Sequence, residues 1–117
     1  MNETRTDALL AALAHQSRRR MLDLLMASPG MCVKALASHF EMSRIAVLKH
    51  IRVLEGVELL LSRKQGRIRH LYFNPVPIQL IHDRWTTQYS AFWSERMVDM
   101  KSRIETRADA RKENKRA

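Results

Sequence analysis

The chain has 117 residues and carries 21 Lys or Arg against 12 Asp or Glu, a formal net charge of +9. This length supports one small domain rather than two, and a single cysteine excludes an intrachain disulfide. The N-terminal apolar run is short and amphipathic, and no run reaches the roughly 20 residues of a membrane span. We therefore expect a cytoplasmic protein that has neither a signal peptide nor a membrane partner.

The positive charge is concentrated in the middle of the chain. Residues 15–73 hold eleven Lys or Arg against four Asp or Glu, a net of +7. Residues 1–14 sum to −1, from one cation and two acids, and residues 74–117 sum to +3, from nine and six. A polyanionic partner accounts for such a concentration, whereas a generally basic protein does not require it.

Four helices are predicted in the first half of the chain. Apolar spacing indicates a helix over 6–14 and a second helix that ends before Ser28, where a proline and a glycine follow. A third helix is predicted over 33–40 and a fourth over 44–56, with Ser43 as its N-cap. Two short helices joined by a tight turn are typical of a helix-turn-helix, whose second helix enters the major groove of DNA.

The fourth helix has a cationic outer face and no acidic residue from 42 to 54. Arginine can pair with guanine, so Arg44 in the first turn is a candidate base contact, and Ile45 or Leu48 can contact a thymine methyl. The other cations are candidates for phosphate contacts, although His50 could equally pack locally. The predicted DNA-binding residues of this segment are Ser43, Arg44, Ile45, Leu48, Lys49, His50 and Arg52.

A cationic β-hairpin is predicted to follow, with strands over 59–64 and 67–73 joined at Gln65-Gly66. No carboxylate occurs from 59 to 77, which favours DNA contact over a merely solvated edge. The predicted DNA-binding residues of the hairpin are Arg63, Lys64, Arg67 and Arg69. For the earlier run Arg18-Arg19-Arg20, phosphate contact and solvation are equally good interpretations.

A single long helix is predicted over about 78–104, within a domain of residues 1–105. The polar segment 106–117 is predicted to be a disordered tail. The helix carries a broad apolar stripe that so small a domain cannot bury completely. We predict a homodimer through the first and terminal helices, with internal core packing as the alternative. The predicted interface residues are Leu9, Leu13, Ile81, Trp85, Tyr89 and Phe92.

Several segments occur in a characteristic order and spacing: 12–14 and 18–22, Leu36-Ala37 with Ser43, Val47 to Glu55, Arg63 to Arg67 with Tyr72 and Asn74-Pro75, and the aromatic residues Trp85, Tyr89, Phe92 and Trp93. Together these segments resemble the ArsR-type family of winged helix-turn-helix repressors, over about residues 9–100. The resemblance implies a mainly α fold of about five helices with a small β-hairpin wing, and a dimer. The aromatic residues of the terminal helix resemble a subgroup without a metal site.

The chain departs from the family at the exit of the fourth helix. The family has a glycine at the position of Glu58, whereas the glycine here is Gly56. A glutamate forced to positive φ costs about 1 kcal/mol or more. We therefore expect this helix exit to be shaped differently from that of the family.

No metal or other cofactor is expected, and the sequence identifies no effector. By resemblance Cys32 stands at the first thiolate of a third-helix metal site, but Lys34 and Ala35 replace the next ligands, which leaves a poor site for a soft metal. On the terminal helix, His82 and Asp83 are present. There Trp93 and Arg96 occupy the positions where the partner ligands would be expected.

The sequence thus predicts a sequence-specific dimeric repressor that occludes a palindromic operator in double-stranded DNA. One alternative is a repressor of the same fold that responds to an effector or to thiol chemistry. Another is a basic protein that coats DNA without sequence preference. An enzyme is not expected, because the chain has no glycine-rich phosphate loop, no paired carboxylates and no plausible nucleophile–histidine arrangement.

Overall fold

The computed structural model describes the backbone of residues 2–86 and 88–116, and the side chains of residues 2–86 and 93–111. The chain forms two compact units, Met1–Ile81 and His82–Ala117. The described residues contain six helices and three strands, so the predicted mainly α fold with a small β-hairpin is confirmed. None of the described helices is long and apolar enough to cross a membrane.

Two capped helices begin the first unit. Helix α1 (Glu3–Leu13) starts earlier than predicted, because the Asn2 side chain accepts a hydrogen bond from the backbone N–H of Arg5 at 2.8 Å. Helix α2 (Gln16–Ala27) begins after His15, whose Nδ1 accepts from the backbone N–H of Ser17. Leu9 of α1 and Met21, Leu22 and Leu25 of α2 belong to one buried core.

The helix-turn-helix follows a strand that the sequence did not indicate. Strand β1 (Met31–Cys32) leads directly into helix α3 (Val33–Ala37), which is shorter than predicted. Helix α4 (Arg44–Gly56) has the predicted bounds, and Ser43 caps it as expected, because its Oγ accepts from the N–H of Ala46 at 3.1 Å.

The predicted hairpin belongs to a three-stranded antiparallel sheet of order β1-β3-β2. Strand β2 (Leu60–Gln65) pairs with strand β3 (Ile68–Phe73), and the connection is Gly66-Arg67 rather than Gln65-Gly66. The predicted connection was wrong by one residue because Gly66, with φ +65°, occupies the first rather than the second position of the turn. A two-residue strand such as β1 is too short for its alternation to be recognised.

The core is built around one face of α4. Val47, Ile51 and Leu54 are each 0% exposed. They belong to the same buried cluster as residues of α1, α2, α3 and the sheet. Because the buried positions follow helical spacing, the opposite face of α4 is left for solvent or a partner.

The exit of α4 corrects one prediction. Gly56 is the last residue of the helix, and Glu58 adopts the left-handed conformation with φ +62°. The expectation of a differently shaped exit was therefore wrong. The surrounding hydrogen bonds hold this conformation: the N–H of Glu58 donates to the carbonyl of Glu55, and the Asn74 side chain donates to the carbonyl of Glu58 at 2.8 Å.

The predicted single terminal helix was also wrong, because the structure contains two helices. Helix α5 spans Val76–Trp85 and helix α6 spans Gln88–Arg116. Near the end of α5, the hydroxyl of Thr86 donates to the carbonyl of His82, a local bond that competes with the continued helical ladder. Helix α6 continues through the polar segment that composition predicts to be disordered.

The backbone at Glu58 yields a stability prediction. We expect Glu58→Gly to raise the free energy of unfolding by about 1 kcal/mol, because glycine adopts positive φ without the Cβ penalty. Urea denaturation measures this change. Glu58→Ala is the matched control, since it removes the carboxylate and its exposed 4.0 Å ion pair with Arg5 but keeps a Cβ. A glycine variant no more stable than the alanine variant would contradict the prediction.

Candidate DNA-binding surface

One face of α4 carries five of the predicted DNA-binding side chains. At about 100° per residue, these five positions fall within an arc of roughly 140°. The opposite side of the helix carries the buried Val47, Ile51 and Leu54. The face, here called the α4 face, consists of Arg44, Ile45, Leu48, Lys49 and Arg52.

The α4 face presents both cations and an apolar group. Arg44, Lys49 and Arg52 are exposed, and none forms an ion pair with a carboxylate of the described residues. Ile45 is 69% exposed, whereas Leu48 is half-buried against the core. Ser43 is exposed just before the helix, but its hydroxyl is engaged in the cap. The face can therefore contact phosphates and base edges together.

His50 lies outside the α4 face, contrary to the sequence-based assignment of an outward position. Its Nδ1 accepts from the guanidinium of Arg18 at 3.3 Å, and its ring centroid lies 4.5 Å from that of His15. Burial lowers the pKa of His50, and the nearby positive charges of His15 and Arg18 lower it further. The structure thus shows local packing of His50, and its contact with DNA stays a prediction.

The three consecutive arginines of α2 have structural contacts. Arg18 Nε donates to the carbonyl of Ala12 at 2.7 Å, and Arg19 donates to that of Leu13 at 2.7 Å. These bonds satisfy carbonyls left unpaired at the end of α1. The Arg20 guanidinium lies 5.2 Å from the centre of the Phe40 ring, within cation–π range. Each arginine is thus occupied within the fold.

The cations of the hairpin fall into two groups, exposed side chains without an ion pair and one side chain that is paired within the fold. Arg63, Lys64 and Arg67 are exposed and form no ion pair with the described carboxylates. Arg69 instead pairs with Glu55 at the end of α4, and it donates to the Ser62 hydroxyl at 3.2 Å. Three of the four predicted wing cations are therefore available to a polyanion, while Arg69 links the wing to α4.

A groove of about 330 Å³ lies between the start of α3, the first turns of α4 and the turn of the wing. Its lining includes Arg44 and Arg67, which were predicted to bind DNA, and Lys34, which was not. The sequence pattern indicates for Lys34 only that it replaces a metal ligand of the family. Its approach to the wing depends on the pairing of β1 with β3, which the sequence did not indicate.

Comparisons with known proteins agree with this geometry. A helix-turn-helix domain model matches residues 13–63. An uncharacterized HTH-type transcriptional regulator, YuzN of Bacillus subtilis, is 32% identical over an 85-residue alignment that covers 68% of this chain and 92% of YuzN. A crystal structure of an ArsR family transcriptional regulator is 26% identical with a TM-score of 0.65, and the match covers 87% of this chain and 96% of that one. The chain belongs to the ArsR-type helix-turn-helix regulators.

Another solved structure is similar in sequence and fold. It is that of a possible transcriptional regulator for arsenical resistance, 31% identical with a TM-score of 0.57, covering 74% of this chain and 93% of its own. The present ArsR-type protein is accordingly a DNA-binding transcriptional regulator, and its family is one of regulators rather than enzymes.

Cys32 of this ArsR-type regulator has a local structural role. It is half-buried, and its Sγ accepts from the backbone N–H of Ala35 at 3.4 Å, which caps α3. Among the residues that the structure describes, no group of three or more His, Cys, Asp or Glu side chains could hold a metal ion. The absence of a metal site from the whole regulator stays a prediction.

The predicted interface residues have different environments. Leu9 is 1% exposed, which makes it a core residue of its own chain rather than one that a second copy could contact. Leu13 and Ile81 are half-buried and pack against that core. Trp85 is 58% exposed. The side chains of Tyr89 and Phe92 lie outside the described residues.

The contacts of His50 predict a pH dependence of stability. A histidine whose pKa is lower in the folded than in the unfolded chain, where it is about 6.5, binds protons preferentially when unfolded. The contribution of His50 to the free energy of unfolding should therefore be complete above pH 6.5 and should fall as the pH drops below that value. Protonated His50 would also lose its ability to accept from Arg18.

The measurement is urea denaturation across this pH range. We expect His50→Gln to flatten the decline, because the glutamine does not titrate. His39→Gln is the control, since His39 is an exposed histidine beyond the end of α3. The assignment fails if the His50 variant and the wild type lose stability in parallel on acidification.

Proposed function

We propose that this regulator is a dimeric repressor that inserts α4 into the major groove and occludes a nearly palindromic operator. The observation that carries the proposal is the α4 face: cations and an exposed isoleucine on one side of a helix whose other side is fixed in the core. A helix held in this way presents the same side chains to every DNA site.

Specific binding requires contacts with bases as well as phosphates. Arg44 and Ile45 occupy the first turn of α4, the part of a recognition helix that contacts base edges. Arg44 can donate two hydrogen bonds to guanine, and the exposed Ile45 side chain can bury its apolar surface against a thymine methyl. Lys49 and Arg52 would then contact phosphates and fix the register.

The wing supplies a second contact with the same duplex. Arg63, Lys64 and Arg67 are exposed; Arg67 lies in the two-residue turn, and Arg63 and Lys64 lie on the last half of β2, which leads to it. Cations at such a tip favour the DNA backbone or the minor groove. This arrangement supports contact outside the base pairs touched by α4.

The dimer is supported by the exposed apolar side chains of α6. Met97, Met100 and Ile104 are 54%, 47% and 59% exposed and follow steps of three and four residues. Such a stripe is typical of a helix that pairs with another helix. A two-fold dimer would place the two recognition helices about 34–36 Å apart, or a multiple of that distance, on half-sites separated by about one DNA turn.

The functional test compares two duplexes by fluorescence anisotropy at near-physiological salt. One carries the DNA upstream of the gene and the other a scrambled sequence of the same composition. A preference of about 10³-fold or more supports the repressor. If the two bind equally, selection from random duplexes decides: an enriched palindrome supports the proposal with an operator elsewhere, whereas no enrichment favours the DNA-coating alternative.

The base contact assigned to Arg44 predicts a change in specificity. On single-base variants of the selected operator, Arg44→Ala should abolish discrimination at one position, a loss of about 1–3 kcal/mol there. Lys49→Ala is the matched control, because a phosphate contact contributes equally on all sequences. Uniform weakening by Arg44→Ala would show that Arg44 binds phosphate instead.

The α6 stripe predicts the effect of a charge on association. Met97→Asp should shift the protein towards monomer in sedimentation velocity, because pairing would bury an uncompensated carboxylate. Ser102→Asp adds the same charge on the opposite side of α6 and should leave the dimer intact. Equal association of the two variants would mean that α6 does not form the interface.

A further inference from the structure

The groove between α3, α4 and the wing is bounded by cations from three separate elements. Lys34 comes from α3, Arg44 from α4, and Arg67 and Arg69 from the wing. Glu55 compensates Arg69. Lys34, Arg44 and Arg67 are exposed and form no ion pair with any carboxylate of the described chain. The groove therefore has an uncompensated positive charge.

The position of Lys34 is fixed by its neighbours. Val33 and Leu36, one residue before it and two after it, are 9% and 0% exposed, so α3 is anchored in the core and Lys34 lies on its outer side. Cys32, which caps α3, is paired with His70 of β3. The start of α3 is thus tied to the strand that leads out of the wing turn.

The walls of the groove also suit an anion. Leu48 and Ile68 contribute apolar surface beside the cations. Low-dielectric walls concentrate the field of nearby charges and strengthen their attraction for an ion of opposite sign. The ammonium of lysine is a compact charge suited to a phosphate oxygen.

We infer that this groove binds a backbone phosphate of the DNA, and that Lys34 is a phosphate-binding residue contributed by α3. The inference rests on the proposed insertion of α4 into the major groove. With Arg44 at the base edges, the flanking strand would pass between the first turn of α4 and the wing. The groove lies in that interval, and the phosphate is the anionic group that a DNA strand presents there.

The experiment measures Kd against salt concentration for Lys34→Ala on the upstream duplex and on its scrambled counterpart. Removing one phosphate contact should weaken binding by a similar factor on both duplexes. It should also reduce the slope of log K against log salt by about 1. Lys34→Arg should restore most of the slope, because arginine keeps the charge. Lys101→Ala, from an exposed ion pair on α6, is the control and should leave the slope unchanged.

Two outcomes would overturn the inference. An unchanged slope for Lys34→Ala would mean that Lys34 makes no phosphate contact. A loss confined to the upstream duplex would make Lys34 a base contact. Failure of the proposed repressor function has a different signature, since the wild type itself would then lack a preferred sequence in the random selection, whatever the Lys34 slopes show.

Discussion

The burial of one face of α4 is the constraint on which the DNA-binding surface depends. Val47, Ile51 and Leu54 lie fully within the core. They share it with residues of α1, α2 and α3 and of the two wing strands. Truncating a buried aliphatic side chain of this kind costs about 2–5 kcal/mol, a large part of the total stability of a small domain. Rotation of α4 about its axis is therefore strongly disfavoured. The α4 face thus keeps one orientation relative to the core.

The cations of the chain have two kinds of role that composition does not separate. Arg18 and Arg19 donate to the last carbonyls of α1, and Arg69 pairs with Glu55. Each of these guanidinium groups donates hydrogen bonds within the fold, which suits a side chain that carries several donors. The free cations of the same region are those of the α4 face, the wing tip and Lys34. Seven of the eleven Lys and Arg of residues 15–73 are thus without such contacts, so a count of cations from composition overstates the number available to a partner.

The elements that the sequence predicted best are those with a local signal. Helix α4 has apolar spacing and a serine cap, and both of its bounds were predicted correctly. The two wing strands have alternation and a glycine turn, and their turn was misplaced by one residue. The break between α5 and α6 was not predicted, because the apolar stripe continues across it.

The site was predicted less completely because its remaining features depend on long-range contacts. His50 lies three and four residues from the buried Val47 and Leu54, but no local pattern indicates its contacts with His15 and Arg18 at the start of α2. Arg69 is separated by fourteen residues from Glu55, and no pattern within the hairpin indicates that partner. Lys34 reaches the groove only because a two-residue strand pairs with β3. Propensity and periodicity describe single segments, whereas these roles come from tertiary packing.

The wing is held by hydrogen bonds at its base and by an ion pair to α4, which bears on how the surface binds. At its base, the N–H of Asn74 donates to the carbonyl of Leu59 at 2.9 Å, and the Asn74 side chain donates to the carbonyl of Glu58. Nearer its tip, Arg69 pairs with Glu55. Ordering a flexible segment costs about 1–2 kcal/mol per residue, so a wing that is already held avoids this cost when DNA binds. The left-handed backbone of Glu58 contributes to this order of the wing, because it directs the Glu58 carbonyl towards the Asn74 side chain. The strain at the helix exit and the order of the wing are therefore two consequences of one local geometry.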